Sequence, residues 1–403
     1  RGHGYIGGRD YHWDHIPLRQ TKRLDGHAVR DIYFLIGATD LYAETGEKEL
    51  WESIITLWKS MTEKQMYIHG GIGSRYEGEA FGKDYELPNE RSYSETCAAI
   101  ASFFWNHRLL SVTAEAKYAD LMEHTLYNAI LCGLSLDGKK YFYQNPLADD
   151  GTHRRSEWFD CACCPPNIAR LLASLSGYIA SYQGDNIYYH LYAQGNLHFT
   201  NSRSENLIIS LETDYPLDEN LNFTIKGPGK IALNFRIPSW CFNPTIKVNN
   251  ESRDIKSVNG YVTIDRIWND NDIISLKLPL EIRKLACHPY IAENYKSVAF
   301  LRGPILYCFE QADNHDFDLR DIFMRPNTLV SCEKIEIMQN KMMALKLNGY
   351  LHTLDSKWKN HLYLPIENQT DSSFSEKVSL TAIPYFAWAN RESGRMRMFM
   401  KME

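Results

Sequence analysis

The chain has 403 residues, of which 44% are hydrophobic and 23% are charged, and its formal net charge is -6 with a pI near 6.2. This length predicts two or three globular domains. The acidic balance gives no reason to expect nucleic acid or an anionic membrane as a partner. No run approaches the ~20 apolar residues that a membrane-spanning helix needs.

Residues 1–185 carry apolar side chains at helical spacing. We expect five helices there, near 28–36, 51–61, 93–110 and 114–131, with the last opening at Pro165-Pro166. Proline is tolerated in a first helical turn because those N–H groups have no intrahelical partner. Five helices do not obviously close a barrel, and the chain starts at Arg1 without a Met. We therefore expect the N-terminal part of a helical domain to be absent.

From residue 186 the apolar period changes to two, which predicts β-strands. Ile231, Leu233 and Phe235 alternate with smaller or polar residues, and a second alternating run starts at Ile274. Asn/Gly-rich breaks separate such runs, as they do in β-sandwiches. The sequence predicts one sandwich over 186–285 and a second over 286–383. Residues 384–403 are expected to rejoin the first one.

The strongest local signal is the run Asp160-Cys161-Ala162-Cys163-Cys164-Pro165-Pro166-Asn167. The positive end of a helix dipole favours thiolate over thiol, and crowded thiolates repel one another unless a soft cation such as Zn²⁺ neutralises them. Taken alone, the run fits a structural zinc site, a redox pair or a catalytic site. The odd number of cysteines, nine, and their uneven spacing do not suggest a disulfide framework.

A second signal is Glu95 and Cys97 at the start of the third helix. The spacing Ser92-x-x-Glu95 fits a capping box, which is a purely structural role for the glutamate. Glu95 and Cys97 also offer one oxygen and one sulfur ligand. Together with Cys163 and Cys164 they make four ligands, the number that zinc prefers.

A third signal is the loop Glu77-Gly78-Glu79, which follows the glycine-rich residues 70–73. The loop lacks the Lys-Ser/Thr ending of a phosphate-binding loop. Loop glutamates are commonly just solvated. A glycosidase, however, needs a carboxyl group that protonates the leaving oxygen and later activates water.

Three further residues are weaker candidates, and each has a structural alternative. His27 would cap a helix, Glu123 would lie on the surface, and Tyr143 would belong to the core.

Taken together, these segments resemble glycoside hydrolase family 127, the β-L-arabinofuranosidases, with family 146 as a near neighbour. The motifs that carry the resemblance are GHAVR (26–30), GGIGS (70–74), EGE (77–79), YELPN (85–89), YSETC (93–97) and CACCPPN (161–167). The resemblance runs from about residue 11 to residue 182, and more loosely to the end of the chain.

The resemblance implies an α plus β multidomain protein, in which a catalytic (α/α)6 barrel is followed by two β-sandwich domains. Residues 1–185 would be the C-terminal part of that barrel. By motif match, a zinc ion would be held by four ligands: Glu95, Cys97, Cys163 and Cys164. Cys163 would be the nucleophile, Glu79 the general acid/base, and sugar contacts would come from His27, Glu123 and Tyr143.

The function implied is a retaining glycoside hydrolase that is zinc-dependent and releases terminal β-L-arabinofuranose. Its partner would be an arabinofuranose-containing oligosaccharide or glycoconjugate, and its assembly partner a second copy of the chain. The expected location is the cytoplasm, with the periplasm as the alternative because the natural start is not seen. Three rivals stay open: a zinc-stapled, non-catalytic glycan-binding protein or inactive fragment, a thiol redox protein, and an epimerase or lyase on a helical barrel.

Overall fold

The computed structural model describes residues 11–353, 356–365 and 374–403. The described residues contain five α-helices, which lie where the apolar periodicity predicts them. Their bounds are α1 Ala28–Thr45, α2 Lys48–Ser60, α3 Thr96–Thr113, α4 Ala116–Thr125 and α5 Cys164–Ser174. Single π-helical turns extend α2 and α4, over Met61–Gln65 and Leu126–Ile130. Five helices are fewer than a complete (α/α)6 barrel requires, so the partial barrel stays a prediction.

Helix α3 is the central helix of this domain and contacts α1, α4 and α5. Its apolar residues surround the axis instead of forming one stripe, and Ala98, Phe103 and Trp105 are all buried. A helix that is apolar on every side can only be stable inside a core. This burial fixes the position of the N-terminus of α3, which carries Glu95 and Cys97.

Two antiparallel-rich sheets pack face to face in the middle of the chain, as the sequence predicts. Side chains from both sheets form one core, which includes Phe223, Phe235 and Leu276. The five-stranded sheet has the order β10-β11-β7-β3-β2 and the six-stranded sheet the order β4-β5-β6-β12-β8-β9. The strands are β2 Ala180–Gln183, β3 Asn186–Tyr189, β4 Gly195–Thr200, β5 Asn206–Glu212, β6 Asn220–Lys226, β7 Gly229–Arg236, β8 Thr245–Val248, β9 Glu251–Arg253, β10 Ser257–Val258, β11 Tyr261–Trp268 and β12 Ile273–Lys277, while β1 (Ala148–Asp149) lies outside this sandwich.

The pairings of the C-terminal strands run in a closed circuit, and the second sandwich predicted over 286–383 stays a prediction. The circuit passes through β15, β19, β18, β16, β21 and β14 and returns to β15. Its core includes Phe300, Tyr307, Leu345 and Leu380. The strands of this region are β13 Ile282–Ala286, β14 Ser297–Arg302, β15 Ile305–Glu310, β16 Ile322–Met324, β17 Val330–Ile337, β18 Asn340–His352, β19 Phe374–Pro384, β20 Met396–Arg397 and β21 Met400–Met402.

The strand pairings differ from the predicted domain bounds at three places. Strand β2 begins at Ala180 and pairs with β3, so the middle sandwich starts before residue 186. Strand β13 pairs with β14, so residues 282–286 belong to the C-terminal sheet. The prediction that residues 384–403 rejoin the first sandwich is wrong, because β20 pairs with β1 and β15, and β21 pairs with β14 and β16.

The C-terminal sheet also packs directly on the helical domain. A shared core joins Tyr67, Phe142 and Leu147 of the helical domain to Tyr385 and Trp388 of the C-terminal region. The pairing of β1 with β20 extends the C-terminal sheet by a strand from the helical domain. Over the described ranges, no helix combines the length and the apolar character needed to cross a membrane.

Candidate active site

The N-termini of α3 and α5 meet at a cluster of one carboxylate and three thiols. Glu95 is the N-cap of α3, and Cys97 lies in its first turn. Cys163 is the N-cap of α5, and Cys164 is its first residue, followed by the two prolines. Because helix N-termini carry a partial positive charge, both helices favour anionic side chains here. The sequence prediction that these four residues come together is therefore matched by the structure.

The capping role considered for Glu95 is not what the structure shows. Helix α3 begins at Thr96, and its N-cap makes no side-chain capping hydrogen bond. The Glu95 side chain is buried and turned towards the cysteines instead. Its Oε1 lies 3.3 Å from Cys163 Sγ, and its Oε2 is buried without a hydrogen-bond partner among the described residues. An unpaired buried carboxylate oxygen is costly, which indicates that a ligand belongs beside it.

The spacing of the four donor atoms fits a tetrahedral metal. The Sγ atoms of Cys97 and Cys164 are 3.5 Å apart, and those of Cys163 and Cys164 are 3.7 Å apart. Zinc–sulfur bonds of about 2.3 Å imply tetrahedral edges of about 3.8 Å. The Oε1 atom of Glu95 lies 3.8 Å from Cys164 Sγ. The donor set and its spacing therefore fit Zn²⁺.

The cluster would be unstable if all of its groups were ionised with no cation present. Burial raises the pKa of Glu95 and of Cys164. The pKa of Cys97 is also raised, chiefly by its hydrogen bond with the neighbouring Cys163. The pKa of Cys163 is lowered instead, chiefly by hydrogen bonds from the Cys164 and Cys97 thiols. Cys163 is therefore the thiol that its neighbours favour as thiolate, even without a metal.

Glu79 reaches the cluster from a tight hairpin. Backbone hydrogen bonds in both directions join Arg75 and Ala80, which places Glu79 at the end of a four-residue loop. Gly78 has a φ of 71°, a conformation that glycine adopts without steric cost, and Glu79 itself has a φ of 54°. Glu79 Oε2 lies 3.0 Å from His27 Nε2. His27 is the N-cap residue of α1, so a helix end fixes the imidazole.

Glu95 belongs both to the cluster with the three cysteines and to a second group of possible metal ligands, which contains His27 and Glu79. His27, Glu79 and Glu95 can bring ligand atoms within 4.8 Å of one another, and Glu95 belongs equally to the thiol cluster. The hydrogen bond from His27 is the main cause that lowers the pKa of Glu79, and Tyr93 acts in the same direction. This differs from the raised pKa that a general acid is expected to have. The difference arises because His27 and Tyr93 stabilise the ionised carboxylate.

Tyr143 also lies at the site, as the sequence predicts, and its hydroxyl is 3.2 Å from Cys163 Sγ. Tyr93 is a neighbour that the prediction missed as a site residue. Its ring packs edge-on against Tyr143, with centroids 6.0 Å apart, and burial raises the pKa of its hydroxyl. The available signal was its position two residues before Glu95, within the same motif.

Glu123 is not at this site. The surface position considered for it is also wrong, since the residue is buried. Its Oε1 accepts hydrogen bonds from Tyr215 at 2.8 Å and Arg236 at 2.5 Å, and its Oε2 accepts one from Trp240 at 3.2 Å. These partners belong to the middle sandwich. Both carboxylate oxygens are therefore used to join α4 to that sandwich, which corrects the expectation that Glu123 contacts sugar.

Cys161 stands apart from the cluster. It is exposed, whereas Cys164 and Cys97 are buried, and it is not among the residues whose ligand atoms converge. Cys161 is therefore not one of the thiols that converge at the cluster.

The fold and the site together define a multidomain α plus β protein whose helical domain holds a buried carboxylate–thiol cluster. Three profiles of one family match it in order: the "Beta-L-arabinofuranosidase, GH127 catalytic domain" over residues 3–177, the "GH127 middle domain" over 186–280 and the "Glycoside hydrolase family 127 C-terminal domain" over 282–401. The chain belongs to glycoside hydrolase family 127.

Individual relatives agree with the family assignment. The "Non-reducing end beta-L-arabinofuranosidase" of Bifidobacterium longum subsp. longum is 30% identical over 412 residues, which cover 96% of this chain and 60% of that protein. The crystal structure of Ara127N-Se, a GH127 β-L-arabinofuranosidase from Geobacillus stearothermophilus T6, matches with 37% identity and a TM-score of 0.91. That match covers 99% of this chain and 64% of the solved one. The chain thus spans about three fifths of the length of these relatives.

Proposed function

We propose that this chain supplies the nucleophile, the acid/base and the metal ligands of a retaining β-L-arabinofuranosidase. In this proposal Cys163 is the nucleophile and Glu79 the general acid/base, as the family resemblance implies. Glu95, Cys97, Cys163 and Cys164 hold Zn²⁺. His27 and Tyr143 contact the sugar.

One observation carries the proposal: Glu95 connects the thiol cluster to the Glu79–His27 pair. A retaining hydrolase needs a nucleophile and an acid/base on either side of one anomeric carbon. Cys163 and Glu79 are held by separate elements, the N-terminus of α5 and the hairpin after α2. An ordinary structural zinc site would need no carboxylate and histidine of this kind beside it.

The metal fits the four donors, and when bound it supplies charge that keeps the coordinated thiols deprotonated near neutral pH. The side chains of the protein then perform the chemistry in two steps. In the first step, Cys163 Sγ forms a bond to the anomeric carbon while the glycosidic C–O bond breaks. The proton on Glu79 moves to the departing oxygen, which leaves as an alcohol.

In the second step, water attacks the same carbon and the C–S bond breaks. Glu79, now ionised, takes the proton of that water and returns to its starting state. The Tyr143 hydroxyl, 3.2 Å from Cys163 Sγ, stabilises the sulfur as an anion when it leaves. The lowered pKa of Glu79 favours this second role in the free protein, and a bound sugar would add the burial that favours the first.

A covalent label tests the assignment of the nucleophile. An arabinofuranose-configured cyclophellitol is incubated with the protein as its gene encodes it, and the labelled peptide is identified by mass spectrometry. The expected adduct is on Cys163, and Cys161→Ala should label equally well. An adduct on Glu79 or Glu95 would overturn the cysteine mechanism. Zinc-loaded, folded protein with neither label nor turnover would favour the non-catalytic glycan-binding alternative.

A further inference from the structure

Ser94 lies between Tyr93 and Glu95 in an uncommon backbone conformation. Its φ is 37°, in the left-handed region that residues with a Cβ atom seldom adopt. Such a conformation persists only where the surrounding structure fixes it, and such residues cluster at active sites. Ser94 is also almost fully buried. The contacts that hold Ser94 therefore determine how the chain enters α3 and where the Glu95 side chain points.

Each polar group of Ser94 is hydrogen-bonded. Its N–H donates to the carbonyl of Gly73 at 2.7 Å, and its carbonyl accepts from Asn145 Nδ2 at 2.9 Å. Its hydroxyl lies 3.0 Å from Nε2 of His69. These partners belong to two separate segments, the glycine-rich loop and the segment that follows Tyr143. Ser94 is therefore fixed to both segments at once.

His69 is completely buried, and it reaches Ser94 only because the residue beside it is a glycine. A Cβ atom on Gly71 would lie 2.1 Å from Ser94 Oγ and 2.7 Å from His69 Nε2. Burial lowers the pKa of His69 to about 3, so the ring is neutral and its contact with Ser94 is a hydrogen bond between uncharged groups. The motif GGIGS, which has no role in the proposed mechanism, makes this contact possible.

Tyr385 supports the same contact from the C-terminal region. Its ring meets the His69 ring edge-on, with centroids 5.5 Å apart. Its hydroxyl donates a hydrogen bond of 2.7 Å to the carbonyl of Pro146, which follows Asn145. Asn145 is the residue whose amide holds the Ser94 carbonyl. The C-terminal region therefore contacts both segments that fix Ser94.

We infer that His69 and Ser94 are positioning residues, which hold the backbone before Glu95 so that its carboxylate faces the three thiols. The inference rests on the proposed function, since it takes Glu95 as a metal ligand. His69 is not among the residues whose ligand atoms converge, so the pair acts through Glu95. A metal site loses affinity when the groups that orient its ligands are removed. Through Tyr385, the C-terminal region then supports the metal site.

Zinc affinity, measured by competition with a chelating dye, tests this role without turnover. In the protein as its gene encodes it, Ser94→Ala should weaken zinc binding by roughly tenfold, the lower end of what the loss of an outer-shell partner costs. His69→Phe should weaken it by a similar factor. His69→Gln should restore most of the affinity, because its amide is neutral, reaches about as far as Nε2 and can hydrogen-bond to the hydroxyl.

Ser181→Ala is the matched control for Ser94→Ala. Ser181 also pairs with a buried histidine, since its Oγ lies 2.8 Å from Nε2 of His190 in the middle sandwich. The substitution removes the same kind of hydrogen bond far from the thiol cluster in sequence, and it should leave zinc affinity unchanged. Ser94→Gly, which reaches a positive φ without steric cost, repeats the test if the alanine variant does not fold.

Cobalt(II) bound in place of zinc gives a second readout, which a general loss of stability would not change. The visible spectrum of bound Co²⁺ depends on the identity and geometry of its ligands. The spectrum of Ser94→Ala should move towards that of Glu95→Gln, whereas Ser181→Ala should match the unmodified protein.

The results that contradict the inference differ from those that contradict the proposed function. Ser94→Ala with the zinc affinity and cobalt spectrum of the unmodified protein would overturn the positioning role. So would equal losses of affinity in Ser94→Ala and Ser181→Ala, or in His69→Phe and His69→Gln. An unmodified protein that binds zinc but does not hydrolyse an aryl β-L-arabinofuranoside would overturn the proposed function and leave the positioning role in place.

Discussion

Glu95 and Glu123 are two buried glutamates on neighbouring helices, and their surroundings differ. Glu123 has both oxygens hydrogen-bonded, to Arg236, Tyr215 and Trp240. Glu95 has one oxygen near thiols and the other without a partner among the described residues. A buried carboxylate whose oxygens accept hydrogen bonds from other residues of the protein stabilises the fold. A buried carboxylate left unsatisfied costs stability, and that cost is offset only when a ligand arrives.

The largest expected effect on activity comes from substituting Glu79, which lies close to the Glu95 carboxylate. Glu79→Gln removes the proton donor but keeps the shape of the side chain. Turnover of an aryl β-L-arabinofuranoside should fall by about 10²–10⁴-fold, the range for general acid/base groups. Zinc content, measured by elemental analysis, should not change. The first step should recover with a leaving group that needs little protonation, as burst kinetics would show.

Glu77→Gln is the matched control for Glu79→Gln. Glu77→Gln alters the neighbouring carboxylate of the same loop, which is exposed, and should keep nearly full turnover. Loss of zinc in Glu79→Gln would mean that Glu79 is a metal ligand and not the acid/base.

Substituting Glu123, whose carboxylate is fully hydrogen-bonded, should lower the stability of the fold. Glu123→Gln leaves Asp120, at 2.6 Å, as the remaining ion-pair partner of the fully buried Arg236 among the described residues. Breaking one side of a buried ion pair costs roughly 3–5 kcal/mol, so the urea midpoint of unfolding should fall clearly. Zinc content of the folded protein should be unaffected.

Glu52→Gln is the matched control for Glu123→Gln. Its pair with Lys48 is exposed and spans one helical turn, so its loss should cost no more than about 0.5 kcal/mol. If both variants unfold at the same urea concentration, the Glu123–Arg236 pair contributes little to stability.

Glu95→Gln should behave in the opposite way to Glu123→Gln. We expect zinc affinity to fall by more than the ~10–100-fold that loss of an outer-shell partner produces. Stability of the metal-free protein should change little, because burial already favours the uncharged carboxyl group of Glu95 there and glutamine keeps its size and shape. Competition with a chelating dye and thermal unfolding of the metal-free protein would measure the two quantities. A metal-free protein destabilised as strongly as Glu123→Gln would show that Glu95 is a structural residue.

How far the sequence predicts these features depends on how local their causes are. The prolines after Cys164 set the start of α5, so the position of the cysteines at a helix N-terminus follows from neighbouring residues. The role of Glu123 depends on Arg236, 113 residues away. The closed circuit of the C-terminal strands depends on the parallel pairing of β16 with β21, which lies far along the chain. No local pattern encodes such distant pairings, so a search for motifs could find neither of them.

The smallest expected effect is a shift in pH dependence, and it tests how His27 acts on Glu79. The His27 hydrogen bond favours the ionised carboxylate and so holds the pKa of Glu79 below its ordinary value. Removing it in His27→Phe should raise that pKa. The first step needs protonated Glu79, so kcat/KM should begin its alkaline fall at a higher pH than in the unmodified protein. Tyr93→Phe should shift the same limb upward by less, because Tyr93 contributes less to the lowering. His198→Phe, an exposed substitution in the middle sandwich, should leave it in place. A limb that stays fixed or moves to lower pH in His27→Phe would show that the alkaline fall belongs to another group, and Glu79 would lose its role as the acid.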